Sequence, residues 1–234
     1  MYHTSVPATV KRARTRRARG SLTRDQVVEA ALQIADQDGI EALTMPNLAR
    51  RLDCGVMTIY GYVKSKEDLL GAIAQIGLRD LRLPQPPPRQ IDQILVAWGR
   101  ALRHTLLGHP SLPMIFLSQA VVGPAIFRGI EALLGRLSQA GMRPVAGVHA
   151  IYAVLIYATG FVAWEIPRTR RQPEAMYAAS WRREFAGLSS DAFRLTGTVL
   201  DQLGRVGSEK QFELGLAALA AGLSENRGKQ SLRR

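Results

Sequence analysis

Residues 43–70 read LTMPNLARRLDCGVMTIYGYVKSKEDLL, and helix starts and stops alternate through them at close spacing. Thr44 puts a hydroxyl where an N-cap is needed, Leu43 and Leu48 flank it as a hydrophobic staple, and Pro46 is tolerated in the first turn. The spacing predicts a short helix from Met45 to Leu52, a break at Asp53-Cys54-Gly55, and a second short helix from about Val56 to Tyr62. Ser65 followed by Asp68 is a capping-box pattern. It opens a further helix in which Leu69, Leu70, Ile73 and Ile76 extend an apolar face, with an expected end near Leu83. Two short helices about a tight turn, braced by longer ones, form a helix-turn-helix.

Upstream, Val27, Ala30, Ala31, Ile34 and Ala35 recur at helical spacing between Arg24 and Asp38, with Thr23 as N-cap and Gly39-Ile40 as the stop. The first twenty residues carry Lys11, Arg12, Arg14, Arg16, Arg17 and Arg19 without an acid. They lack the apolar stretch of a secretory signal, so residues 1–21 are expected to be a flexible basic arm, with an organellar transit peptide as the other reading.

A formal charge of +12 over 234 residues points to a polyanionic partner, either nucleic acid or an anionic membrane surface. Cys54 is the single cysteine, which rules out an internal disulfide framework and a cysteine-only metal site and fits a reducing cytoplasm. Its spacing suits a small core residue at the turn. No G-x-S-x-G elbow, Walker loop or dinucleotide glycine fingerprint occurs, so neither catalytic residues nor a cofactor are expected. His104 and His109 lie five apart, on different helical faces, without an evident Asp, Glu or Cys partner. No metal site is expected there, and His149 reads as a core or interface histidine.

The second short helix has two faces. Ile59 and Val63 point together toward Ala49, Leu52 and Cys54, which leaves Gly55, Val56, Met57, Thr58, Tyr60, Gly61 and Tyr62 outside. An uncharged outer face with two tyrosines suits contact with a DNA groove. Tyr60 and Tyr62 can donate to phosphates, Thr58 can reach a base or a phosphate, Gly61 permits close backbone approach, and Lys64 and Lys66 add charge.

From Leu43-Thr44-Met45 to Leu52, and again from Thr58-Ile59-Tyr60-Gly61-Tyr62-Val63 to Leu70, the chain resembles the tetracycline-repressor (TetR) family, with a match spanning roughly Leu22 to Ile76. The resemblance implies a phosphate contact at Thr44 and backbone contacts from Tyr60, Tyr62 and Lys66. Many relatives carry Arg, Gln or Asn on the reading helix, where this chain has Val56 and Met57. These two are therefore expected to touch thymine methyls, while Arg14, Arg16, Arg17 or Arg19 enters an adjacent minor groove.

Pro84, Pro86, Pro87 and Pro88 mark the end of this domain. The expected organisation is all-α: a helix-turn-helix domain at 22–83, a proline-rich linker at 84–90, a larger helical regulatory and dimerisation domain at 91–225, and a disordered tail at 226–234. Helices are expected at Ile91 to Leu107, Ala125 to Ala140, Val145 to Glu165 and Glu209 to Leu223, with two shorter ones between Arg168 and Gly204.

This second part also resembles the family's tetracycline-binding domain through Trp98 to His109-Pro110, Gly141, and Tyr152 to Glu165. The resemblance implies a homodimer through helices 144–165 and 209–223, a double-stranded, palindromic DNA operator, and a small-molecule effector that relieves repression. Trp98 and Phe116 stand where the tetracycline repressor has an amide and a metal-binding imidazole, so that magnesium site is not retained. Trp98, Leu102, Phe116, Phe127, Tyr152 and Ile156 are expected instead to line a cavity for a hydrophobic effector, against plain core packing as the alternative.

Pro144 to Trp164 carries no charge and is long enough to cross a bilayer, so a membrane-associated protein with a basic surface arm is one rival reading. An enzyme of unrecognised type is the other. A helix packed on its own core and on a partner is also apolar all round, and that reading places the protein in the cytoplasm without a membrane.

Overall fold

Thr23 opens α1 (Arg24–Asp38) with a full capping box, its hydroxyl accepting the Gln26 N–H at 3.2 Å while Gln26 Oε1 accepts the Thr23 N–H at 3.0 Å. Gly39, at φ 89°, ends the helix in a conformation that strains a β-carbon, and one 3-10 turn, Ile40–Ala42, leads to α2 (Met45–Arg51). Leu43 and Leu48 are both buried, as the staple requires. Asp53, at φ 52°, makes the turn into α3 (Val56–Tyr60), after which α4 (Lys66–Gly77) packs along α1.

The computed structural model describes residues 22–79, 81–171, 174–189, 191–205 and 209–225, without the side chains from 169 to 175. The arm at 1–21, including Arg14, Arg16, Arg17 and Arg19, and the tail at 226–234 lie outside the described residues.

Beyond the prolines come α5 (Ile91–Gly108), α6 (Leu112–Ser118), α7 (Pro124–Gln139), α8 (Pro144–Arg171), α9 (Glu174–Phe185), α10 (Arg194–Thr198), α11 (Leu200–Leu203) and α12 (Glu209–Glu225). No strand occurs among the described residues. Helices α5, α8 and α12 pack on one another, and α7 packs on the first half of α8. Gly99 makes the α5 junction tight, since a β-carbon there would lie 2.6 Å from Leu216 Cδ1 and 3.2 Å from Val154 Cγ1.

Three expectations need correction. Helix α4 ends at Gly77 rather than near Leu83, where tighter three-residue turns take over, the Arg79 N–H donating to the Ile76 carbonyl at 2.9 Å and the Leu81 N–H to the Leu78 carbonyl at 3.2 Å. Helix α8 continues past Glu165 and through Pro167: Arg168 donates to the Trp164 carbonyl at 2.5 Å and stacks 3.7 Å over its ring, bracing the turn that holds the proline. Three helices, rather than two, follow α8 before α12. Helix α6 was missed, although Ser111 before Leu112-Pro113 is a start signal.

One continuous cluster of buried residues joins the two halves, from Val27 in α1 to Ala220 in α12. The join runs through α4 and α6, where a β-carbon on Gly77 would lie 2.5 Å from Leu112 Cδ1 and 3.2 Å from its Cγ. Leu112 is fully buried and has nowhere to move, so Gly77→Ala is expected to cost about 1–3 kcal/mol as overpacking. The check is the urea midpoint, which should fall at unchanged slope; an unmoved midpoint contradicts the tight junction.

Candidate nucleic-acid interface

Helix α3 is too short to stand alone and is pinned from beneath by Ile59 and Val63, both fully buried. Its far side is open: Met57 is 80% exposed and Tyr60 47%, with Thr58, Gly61 and Lys64 also exposed. Val56 is different, being half-buried and packed against the core, so Met57 is the apolar side chain that projects furthest. Cys54 likewise packs against the core at the turn.

The N-terminus of α2 is built from side chains. Thr44 Oγ1 accepts the Asn47 N–H at 3.2 Å, leaving its own O–H free to donate, and Asn47 reaches back to the Ala42 carbonyl at 2.9 Å. Asn47 Oδ1 also accepts from Arg50 at 2.6 Å, so Arg50 and the exposed Arg51 bring positive charge to the last turn of α2. Sequence reasoning passed over this pair because arginines in a last helical turn are common for dipole reasons alone.

Tyr62 does not lie on the outer face as expected. It is half-buried, and its hydroxyl donates to the Leu22 carbonyl at 2.8 Å, tying the α3–α4 turn to the start of α1. Arg24 joins the same tie, donating to the Tyr62 carbonyl at 3.3 Å and pairing with Asp68 at 3.2 Å. Asp68 also receives the Lys64 N–H at 2.8 Å, while Ser65 Oγ caps α4 by accepting the Asp68 N–H at 3.2 Å. Lys66 occupies the first turn of α4 and is half-buried. Partners some forty residues apart in the chain leave no local signal, so the sequence could not separate Tyr62 from Tyr60.

A second tie holds this head to the remainder of the protein. Ser111 gives its N–H at 3.0 Å and its hydroxyl at 2.6 Å to Asp36 Oδ1, and His109 Nδ1 lies 2.9 Å from Asp36 Oδ2. His109 therefore has the acidic partner that its sequence neighbours did not offer. His149, expected in a core or interface, is exposed on the surface of the single chain.

The six residues expected to line an effector cavity do not surround one space in the single chain. Trp98 and Leu102 are buried on α5 and Phe116 is half-buried, but Phe127 is 62% exposed, and Tyr152 and Ile156 lie four residues apart on the open side of α8. Helical phase explains the difference: Ile151, Val154, Ala158 and Val162 take the inward side of α8, which turns 152 and 156 outward.

A half-open cleft of about 370 Å³ lies against α5 and α12, lined by Arg100, Arg103, His104, Leu107, Glu209, Phe212 and Glu213. Arg100 grips Glu213 through bonds of 2.6, 2.8 and 3.0 Å, which hold the Glu213 carboxyl below the usual carboxylate range and raise Arg100. Arg103 pairs with buried Glu165 at 2.6 Å and lies 5.1 Å over the Phe212 ring. Burial pushes the Tyr157 phenol up, and its hydroxyl donates to the Phe212 carbonyl at 2.9 Å. Among the described residues, no group of three His, Cys, Asp or Glu side chains could hold a metal ion.

Known proteins share this arrangement. Residues 27–73 match the family model described as bacterial regulatory proteins, tetR family, and residues 83–227 match the tetracyclin repressor-like C-terminal domain. An HTH-type transcriptional regulator of Saccharopolyspora erythraea is 29% identical over 213 residues, 91% of this chain and 89% of that one. The HTH-type transcriptional repressor DrrR1 of Streptomyces coeruleorubidus is 34% identical over 147 residues, 60% of this chain and 52% of the repressor. Among solved structures, Streptomyces coelicolor ActR in complex with actinorhodin superposes with a TM-score of 0.80 at 25% identity, covering 91% of this chain and all of ActR. An exposed α3 on a buried brace, continued into a helical domain that matches along nearly its whole length, makes this chain a member of the tetracycline-repressor (TetR) family of bacterial helix-turn-helix transcriptional regulators.

Proposed function

We propose that the protein is a homodimeric repressor that holds a palindromic operator with its two α2–α3 heads and releases it when a hydrophobic small molecule binds the helical domain. The observation that carries this reading is the outer face of α3, where Met57 and Tyr60 stand clear of a rigidly pinned helix. Met57 suits a thymine methyl and Tyr60 a phosphate, with the Thr44 hydroxyl, Thr58, Lys64 and Lys66 around them. Direct hydrogen-bond readout on this face is sparse, so the basic residues Arg14, Arg16, Arg17 and Arg19 keep their proposed role in a minor groove.

Dimerisation is supported by the open side of α8. Val145, Val148, Tyr152 and Ile156 form an exposed apolar stripe, and Leu214 extends apolar surface onto α12. Covering that stripe with a second copy buries surface that water would otherwise meet, which favours an interface over a membrane span for α8. The helix is long and apolar enough to cross a membrane by length and composition, yet one side of it packs into the protein core. Tyr152 and Ile156 accordingly move from the effector site to the interface, leaving Trp98, Leu102 and Phe116 as the effector-facing set. The ActR complex supports a small-molecule effector, and regulatory relatives support a cytoplasmic DNA-binding role rather than an enzymatic one.

In vitro selection of duplexes by the full-length protein tests the reading. The expected result is enrichment of an inverted repeat with centres about one helical turn, roughly 34–36 Å, apart or a multiple of it. Enrichment of no sequence, or of a single half-site without its mate, overturns it.

A further inference from the structure

Helix α6 begins with a broken local rule. Ser111 stands at its N-cap, where a serine hydroxyl ordinarily accepts one of the free N–H groups of the first turn, but it makes no such bond. Both the hydroxyl and the N–H of Ser111 go instead to Asp36, across to the last turns of α1, and His109 meets the other oxygen of the same carboxylate. A carboxylate that gathers these donors makes charge-assisted bonds, which are shorter and stronger than neutral ones. The partners are 73 and 75 residues apart, on opposite sides of the proline linker.

Helix α6 is also what the head rests on elsewhere. Leu112 fills the space left by Gly77 at the end of α4, and Gln119, just past the end of α6, reaches the Glu67 carbonyl at 3.4 Å. The Leu112–Gly77 contact is close but non-directional, whereas the Asp36 bonds depend on angle and fail on a small rotation. A rotation of the head about the α4–α6 junction therefore breaks the Asp36 cluster first.

We propose that Asp36, with His109 and Ser111, is the latch that sets the angle of each reading head, so that its making and breaking decides whether the two heads match one operator spacing. This rests on the dimeric operator reading above and adds the residues through which the helical domain acts on the head. Asp36 is a positioning residue: its bonds go to His109 and Ser111 rather than to any DNA-facing side chain, and it touches no DNA in this scheme.

The test compares Asp36→Ala and the double variant His109→Gln, Ser111→Ala with the parent, as full-length proteins, on two probes: the palindromic duplex selected by the parent and a duplex with one half-site. A latch predicts about a tenfold loss on the palindrome, within the usual 5- to 150-fold range of site-to-site coupling. It also predicts an unchanged half-site affinity and a broader range of accepted half-site spacings. Should Asp36→Ala fail to fold, the double variant, which leaves the carboxylate in place, decides the matter. Parent-like affinity and spacing in the folded variants overturn the latch, as does an equal loss on both probes, which indicates a head that is merely destabilised. A parent that does not prefer the palindrome removes the dimeric reading itself, and that result is seen before any variant is compared.

Discussion

A Met57→Ala, Tyr60→Ala double variant is expected to lose about 2–4 kcal/mol of affinity for its best duplex, roughly thirty- to a thousandfold, with its thermal stability unchanged. Met57 is largely in solvent and Tyr60 about half exposed, so their removal opens no enclosed cavity, and the loss reports contacts to DNA. Tyr60→Phe separates the two parts of the effect: it keeps the ring, deletes the phosphate donor, and should weaken binding about equally on all sequences. Met57→Ala alone should weaken binding mostly at the base pair it touches. Binding by the folded double variant within about twofold of the parent, measured at one salt concentration, removes α3 from the interface. Tyr62→Ala is unsuitable for this purpose, because its hydroxyl holds Leu22 and its loss loosens the head itself.

The second large effect concerns stability. Glu165 is buried, its side chain 7% exposed, and pairs with Arg103 through bonds of 2.6 and 3.2 Å beneath Phe212. Glu165→Ala strands the guanidinium where water reaches poorly, and the expected cost is about 3–5 kcal/mol. For a chain of this size that corresponds to a melting temperature lower by roughly 6–20 °C, compared at equal protein concentration because dimerisation contributes to stability. Replacing both partners, as Arg103→Met with Glu165→Leu, should recover most of the loss, since the desolvation of two charges then disappears along with their attraction. A single variant that melts with the parent, or a double variant no better than the single, contradicts this account of the pair.

Much of the head was legible because its signals are local. The Thr23 cap, the Gly39 stop, the staple of Leu43 and Leu48 around Thr44, and the inward pair Ile59 and Val63 each depend on residues within a turn or two of one another, and each stands in the structure where its spacing put it. What was misread depends on distant partners. Tyr62 and Tyr60 look alike along the chain, and only Leu22, 40 residues away, separates their roles. His109 had no acid beside it in sequence but has Asp36 across the linker. Pro167 gives a stop signal by every local rule, yet Arg168 and Trp164 carry the helix through it. The expected effector set divides for a related reason: residue type alone does not carry helical phase, which turns Phe127, Tyr152 and Ile156 outward on α7 and α8 while Trp98, Leu102 and Phe116 stay inside.

The unbroken core between α4 and α6 bears on how this protein can be taken apart. The prolines look like a natural place to cut, but a head severed there would bare Gly77 and the groove that Leu112 occupies, and so would shed part of its own interior. For building hybrid regulators with a borrowed DNA specificity, a graft that stops at the prolines carries an unmatched seam into its new host unless the Gly77–Leu112 contact is re-matched there.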